Sequence, residues 1–425
     1  MFLDQFSDRW CWDDLLVLSW DVAGREGIRS DAALERSRLG MTFSTFQIGM
    51  GWFPELPGGL DRVYYNLTVH LARLGIRVQG AVLGSPEVAR STGGDFIPFA
   101  EPGDSLITRL ANARKAIGNA LQASPPDLVA SHFALFTAPI LDKLLSTPLI
   151  VHFHGPWARE LAAEAKGLTP KEKLKSVAGQ IIERTVYRRA SRFIVLSGAF
   201  RDVLVNEYRV PKGLIRVVPG GVEFSSFLIP QSKIEARRDL GVETCRPIIV
   251  AVRRLARRMG LDRLIDAIAE VRLQYPDVLL LIAGKGSMAA DLTSRIRLRG
   301  LERNVRLIGF VPDAKLAMLY RAADFSVVPT VELEGFGLIT LESLAAGTPV
   351  LVTPVGGLPD AVSALSPDLV LASTATEHIA QGIIEALNGR RRLPTRNEAQ
   401  AYISENFTWA KMAERTIQVY SEALR

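Results

Sequence analysis

From Met41 the chain reads MTFSTFQIGMGWFPELPGGLDRVYYNLTVHLARLGIRVQGAVLG, a short apolar run, a glycine-bearing loop, a stretch with apolar residues at helical spacing, and a second apolar run. That order predicts strand, loop, amphipathic helix and strand, the opening of a βαβ unit. Further apolar runs end in polar or glycine loops: DLVASH (127–132), LIVHFHG (149–155) and RFIVLSG (192–198), separated by helix-like stretches. The alternation predicts a parallel sheet. It pauses at RVVPGGVEFSSF and restarts with RPIIVAVRRL (246–255), DVLLLIAGKG, NVRLIGFV, DFSVVPT and TPVLVTP. A second α/β domain is therefore expected from about residue 226, and FTWAKMAERTIQVYSEALR (407–425) reads as a terminal helix.

Length supports the division, because 425 residues exceed what one core usually organises. The expected bounds are 41–225 and 226–406, with 407–425 closing the chain. Residues 1–40 lack the pattern and read as an extension of unclear role, Met41 being a plausible alternative start. Within an open α/β sheet ligands bind beyond the carboxyl ends of strands, so the loops after the apolar runs should converge on a crevice between the domains.

Composition narrows the class. Apolar residues make up 48% and charged residues 23%, as in soluble globular proteins. Cys11 and Cys245 lie far apart and form no zinc-ligand spacing. No apolar run reaches the ~18 residues of a membrane span, and the acidic start MFLDQFSDRWCWDD lacks the basic leader of a secretory signal, so a cytoplasmic location is expected. A net charge of +6 suits an anionic partner. The segment 166–192 holds eight Lys or Arg against two Glu, either a solvated basic face or an amphipathic helix set against anionic lipid at the inner membrane face.

The chemistry concentrates in ELEGFGLITLESLAAGTP (332–349). A helix is expected to begin at Gly337 and end near Gly347, where glycines expose backbone N–H groups and the positive helix end to an anion such as a phosphate. Glu334 precedes that site and Glu342 follows it, placed to accept hydrogen bonds from hydroxyls on its two sides. Taken alone, Glu334 is equally a dipole-favoured carboxylate and Glu342 a solvated helix position.

The stretch resembles the E-x7-E signature of retaining glycosyltransferases of family 4. FPELPGGLDRVYYNL, VPGGVEF, AGKGS and VRLIGFVP resemble other segments of that family in the same order, and the resemblance spans 41–425. It implies the α/β fold called GT-B, two Rossmann-like domains facing each other across a cleft, with the C-terminal helix returning to the N-terminal domain. It also implies metal-independent, retaining transfer of a hexose-type sugar from a UDP- or GDP-sugar co-substrate, with no other cofactor, to a hydroxyl acceptor of unknown identity.

The implied roles can be set on this chain residue by residue. Glu334 would contact sugar hydroxyls and Glu342 the ribose, while amides of Phe336, Gly337 and Leu338 hold the diphosphate. Gly309, Phe310 and Val311 would lie along the base, and Gly284 and Gly286 near the donor; a plain turn after a strand accounts for these glycines equally well. The family usually carries an Arg and, five residues on, a Lys as a diphosphate clamp. Arg254 matches the first, but Met259 stands at the second position and can neither donate nor carry charge. Arg258 is the expected replacement, since Arg253 to Arg258 keeps the five-residue spacing one position earlier.

On the acceptor side, His154 directly follows an apolar strand and would stand against the transferred sugar, with His132 a second choice. His152 alternates to the other direction and reads as a core histidine. Gly58 and Gly59 would let an acceptor or phosphate approach, or simply form a tight turn. Two rival functions carry over: a nucleotide-sugar 2-epimerase of the same fold, needing no acceptor, and a sugar-nucleotide-binding protein without turnover, suggested by Met259. No nucleic-acid-binding module is recognisable, so no nucleic-acid partner is expected.

Overall fold

The computed structural model describes residues 43–425 apart from 54, 57, 145 and 165–168; side chains of 161–164 and 171–172 are likewise outside the description. The expected extension at 1–40, Met41 as a start and Cys11 fall outside the described residues. Two parallel sheets organise the rest. The first holds β1 (Ser44–Gly51), β2 (Arg77–Leu83), β3 (Phe96–Ala100), β4 (Leu128–Ser131), β5 (Leu149–Phe153), β6 (Arg192–Val195) and β7 (Ile215–Val217) in the order 3-2-1-4-5-6-7. The second holds β8 (Ile248–Val252), β9 (Leu279–Ala283), β10 (Val305–Gly309), β11 (Phe325–Val328) and β12 (Val350–Val352) in the order 10-9-8-11-12.

The strands form where apolar runs can be covered on both faces. All five residues of β9 are buried, as continuous apolar composition requires in a parallel sheet. Covering helices supply the complementary stripe: in Leu261–Val271 the buried set includes Leu261, Leu264, Ile265, Ile268 and Val271, one face at helical spacing. Each sheet reverses strand order once, between β1 and β4 and between β8 and β11. At such a switch point the loops leave in opposite directions and open a crevice. Both crevices contribute to one cleft between the domains.

The sequence pattern does not single out two strands, β3 and β7, and both are sheet edges. β3 contains Pro98, which cannot donate to a ladder and survives only at an edge or irregularity. β7 is three residues long, too short to show a period.

The domains are also joined away from the cleft. Val222 N–H donates to Phe407 O (2.8 Å), where the chain leaving the first domain crosses the chain returning to it. Gly221 makes the crossing: a Cβ there would lie 2.7 Å from Trp409 N and 2.8 Å from Thr408 C. The helix Trp409–Leu424 then lies on the helix Gly59–Arg73 of the first domain, burying Trp409, Met412, Ile417 and Tyr420. The Tyr420 hydroxyl sits 2.7 Å from His152 Nε2, beneath the cleft.

Removing that hydroxyl leaves a fully enclosed imidazole nitrogen without its partner, a loss of about 1–3 kcal/mol. Tyr420→Phe should therefore lower the denaturant midpoint with the slope unchanged; an unshifted midpoint would show that the contact contributes nothing to stability.

Candidate functional site

The cleft has a volume of about 620 Å³ and is lined by loops from both switch points. On the first domain, the loop after β1 is held by Asp61, whose Oδ1 accepts from Gly51 N–H (2.9 Å). Burial pushes the Asp61 carboxyl up to about 6. Gly58 and Gly59 both line the cleft. Their reasons differ: a Cβ at Gly58 would meet Asp61 Oδ2 at 2.6 Å, whereas one at Gly59 would meet open space.

Three histidines from the ends of β4 and β5 stack. His132 and His152 rings lie 4.1 Å apart at 13°, and His132 and His154 rings 5.4 Å apart at 20°. His154 Nε2 is 3.1 Å from His132 Nδ1, and His132 Nε2 is 3.0 Å from Gln47 Oε1. Gln47 Nε2 donates to Thr45 Oγ1 (3.0 Å), so its carbonyl oxygen faces His132 and accepts from His132 Nε2–H. In the neutral ring Nδ1 is then an acceptor, so His154 donates through Nε2–H and keeps Nδ1 as an acceptor. Burial pushes His154 down to about 4 and His132 and His152 well below the usual imidazole range. His152 is thus a core residue tied to Tyr420, yet its ring also lines the cleft.

On the second domain the extended chain leaving β8 sends neighbouring side chains in opposite directions. Arg253 is buried, and its Nη2 donates to Glu334 Oε2 at 2.5 Å and to Thr330 Oγ1. Arg254 is exposed and lines the cleft. Arg258 lines it too; its Nη1 donates to Leu333 O (2.6 Å) and its Nη2 lies 3.6 Å from Glu160 Oε2 of the opposite domain. Leu333 has φ of 54°, costly for a branched side chain, and the Arg258 bond helps hold it there. Met259 is buried at the cleft floor.

The helix Leu338–Ala345 starts as the glycine pattern predicts. Gly337 is its N-cap with φ of 78°, and no side chain caps it. Glu334, Phe336, Gly337 and Leu338 all line the cleft. Phe336 points its ring into the core against Phe407, so only its backbone is offered. Thr340 in the first turn is fully buried, and its hydroxyl has no hydrogen-bond partner among the described residues.

Glu342 is not a solvated helix position. It is 5% exposed, burial raises its pKa, and its Oε1 lies 3.6 Å from Arg62 Nη1. Arg62 reaches across from the first domain, and its Nη2 also donates to both carboxylate oxygens of Asp313 (2.9 and 2.8 Å). Glu342 lies outside the cleft lining, as do Gly284, Gly286, Gly309, Phe310 and Val311. Gly284 and Gly286 are explained by packing, since added Cβ atoms would meet Arg253 O at 1.8 Å and Leu255 O at 2.3 Å. Gly309 faces open space, and Phe310 is exposed beneath Lys285 Nζ, 5.6 Å from its ring centre.

Sequence patterns miss several members of this arrangement. The Arg62 bridge, the Gln47 tether, Glu160 opposite Arg258 and the Tyr420 contact all join residues far apart in sequence. Arg62 alone carried a signal, standing three residues after Gly59 in the glycine-loop segment. Among the described residues no three His, Cys, Asp or Glu side chains are grouped to hold a metal ion.

The imidazole arrangement makes a pH-dependent expectation. Between pH ~4 and the ordinary value of ~6.5, unfolded His154 binds a proton that the folded ring refuses, so its contribution to stability rises with pH across that window and is lost on acidification. His154→Asn should flatten the pH dependence of unfolding free energy between pH 4 and 6.5 relative to the unmodified chain; identical slopes would mean the ring is not held neutral.

Comparison with known proteins agrees with this architecture. Residues 57–226 match the family described as Glycosyltransferase Family 4, and residues 232–406 match Glycosyl transferases group 1. A D-inositol 3-phosphate glycosyltransferase of Segniliparus rotundus is 30% identical over 397 residues, covering 87% of this chain and 85% of that protein. An uncharacterized glycosyltransferase of Methanocaldococcus jannaschii is 31% identical over 236 residues, 54% of this chain and 60% of the other. Among solved structures, sucrose-phosphate synthase of Thermosynechococcus elongatus superposes with a TM-score of 0.73 at 20% identity, covering 89% of this chain and 98% of that one. Anabaena HepE in complex with UDP-glucose gives 0.71 at 19% identity, covering 89% and 100%. With two Rossmann-like sheets, opposed switch points and both halves matched, the chain belongs to the family 4 glycosyltransferases of GT-B fold.

Proposed function

We propose that the chain is a retaining, metal-independent glycosyltransferase that moves a hexose from a nucleoside-diphosphate sugar to a hydroxyl acceptor. The observation that carries this is the uncapped start of the helix Leu338–Ala345 opening on the cleft beside Arg254, Arg258 and the Arg253–Glu334 pair. Helix amides and guanidinium groups fixed in advance stabilise charge as it builds on a departing diphosphate. They supply what a divalent cation would otherwise supply, so the proposed reaction needs none. Arg258 takes the place of the lysine absent at Met259, Glu334 meets sugar hydroxyls, and His154 offers an acceptor nitrogen to the sugar rather than a base. Glu342 would meet the ribose once Arg62 yields. Phe310 and Val311 are proposed to flank the nucleobase from the rim.

The relatives named for D-inositol 3-phosphate and the neighbour holding UDP-glucose support a polyhydroxylated acceptor and a UDP-sugar donor, respectively. In the retaining course, the acceptor hydroxyl attacks from the face that the diphosphate leaves, and the diphosphate oxygen takes its proton. A panel of UDP-, GDP- and ADP-sugars should yield one class that raises the melting temperature, since a ligand bound only to the folded state stabilises it. Arg258→Ala and Glu334→Gln should each lower kcat by about 10²–10³, the scale of losing one fixed electrostatic group. Epimer formation from donor alone would replace transfer by the epimerase, and donor binding with no turnover across a broad acceptor panel would indicate a binding protein.

A cytoplasmic location with peripheral membrane contact is proposed as well. Among the described residues no helix is long and apolar enough to cross a membrane. The helix Pro170–Arg189 instead exposes Leu174 (70%), Val177 (54%) and Ile181 (58%) on one face, with Lys173, Lys175 and Arg188 exposed around it. An apolar stripe rimmed by cations suits an anionic bilayer surface. The chain should co-sediment with phosphatidylglycerol vesicles and not with phosphatidylcholine vesicles, and Leu174→Asp with Ile181→Asp should abolish it; equal partition to both lipids would count against the contact.

A further inference from the structure

The two halves of the cleft carry opposite charge. Every cation among the described lining residues, Arg253, Arg254 and Arg258, comes from the second domain. The first domain contributes Asp61, Glu160 and Glu183 to the lining and no Lys or Arg among its described residues; Asp61 Oδ1 accepts from Gly51 N–H, Glu183 Oε2 accepts from Tyr208 O–H, and Glu160 faces Arg258 at 3.6 Å. Among the described residues its nearby arginines are paired: Arg62 with Asp313 (2.8 Å) and Glu342 (3.6 Å), and Arg159 with Glu207 (2.6 Å) and Glu332 (3.8 Å). Its three lining imidazoles are neutral, being stacked, buried and hydrogen-bonded. Beside the carboxylates stand apolar groups. Phe133 and Trp157 meet edge to face with ring centres 5.4 Å apart, and Met50, Leu135 and Tyr187 complete that wall.

Resting on the glycosyl-transfer reading, we infer that the acceptor is an uncharged polyol or glycoside that lays an apolar face on Phe133 and Trp157 and hydrogen-bonds to Glu160, and that it is not a phosphorylated compound. Carboxylates are acceptors only, so they suit the hydroxyl donors of a sugar or polyol and repel a phosphate. Aromatic walls suit the C–H faces of such rings. The guanidinium groups across the cleft do not alter this, because Arg253 is committed to Glu334, and the proposed donor diphosphate draws on Arg254 and on Arg258, whose Nη2 otherwise faces Glu160. A phosphate brought in on the acceptor would therefore meet carboxylates without a compensating cation from its own side. This chain thus parts from the relatives whose names specify a phosphorylated acceptor.

The test uses the full chain and matched acceptor pairs, myo-inositol against D-inositol 3-phosphate and glucose against glucose 6-phosphate, with release of nucleoside diphosphate as the readout. The neutral member of a pair should have the higher kcat/KM by on the order of ten-fold or more, the scale of one like-charge juxtaposition. A phosphorylated member used equally well or better overturns the inference. Calorimetric binding of D-inositol 3-phosphate to the chain saturated with its nucleoside diphosphate decides the matter independently of turnover: no binding at millimolar concentration is expected, and micromolar binding refutes it. Glu160→Gln should narrow the gap between the paired acceptors. Failure of every nucleotide sugar to shift the melting temperature would instead strike the glycosyl-transfer reading, leaving D-inositol 3-phosphate binding to the free chain to judge the charge of the acceptor half.

Discussion

The Arg253–Glu334 ion pair is the constraint on which the cleft depends. Arg253 leaves the end of β8 with almost no solvent contact, and a buried guanidinium without a carboxylate is strongly unfavourable. Its partner must therefore be brought to it, which fixes the loop after β11 against the loop after β8. Once Glu334 is placed, Leu333 is forced into a left-handed backbone and Gly337 into another, and the next helix starts with its amides facing the crevice. Arg258 secures the same loop from the other side through the Leu333 carbonyl. Two guanidinium groups thus set the geometry of the loop and helix start that form the proposed anion seat.

Cross-domain contacts surround that seat. Arg62 spans from the first domain to Asp313 and Glu342, Arg258 faces Glu160, and Gly198 N–H donates to Asp360 Oδ2 (2.8 Å). Each is polar, unlike the apolar junction that the helix Trp409–Leu424 makes with the helix Gly59–Arg73. Polar contacts of this kind permit relative motion of the halves about such a junction. The Arg62 bridge has a further role, because it neutralises Glu342, whose carboxylate would otherwise be buried with only the neighbouring tyrosine hydroxyl for support.

Much of this fold is written locally in the chain. Continuous apolar runs such as LLLIA admit few alternatives to a buried parallel strand, and the glycines around Phe336 mark a backbone that must turn sharply and approach something closely. Edge strands with a proline or only three residues carry no such mark. Side-chain pairing is the part that the sequence withholds. Arg253 and Arg254 are chemically identical neighbours, and only the strand's alternation decides which is buried against Glu334 and which faces the cleft. Glu342 looks like any surface glutamate until Arg62, 280 positions earlier in the chain, is folded against it. The histidine stack is hidden for the same reason: β4 and β5 must pair before His132 can meet His152 and His154.

The helix Trp409–Leu424 belongs by sequence to the end of the chain and by contact to its beginning. A ribosome therefore releases the first domain's strands and covering helices long before it releases the segment that shields one side of them. Until Tyr420 emerges, His152 has no phenolic partner and the helix Gly59–Arg73 keeps apolar surface bare, so this domain completes its packing only once the second domain has been made. A protein cut short by a few turns at its carboxyl end would accordingly fail first at its amino-terminal half.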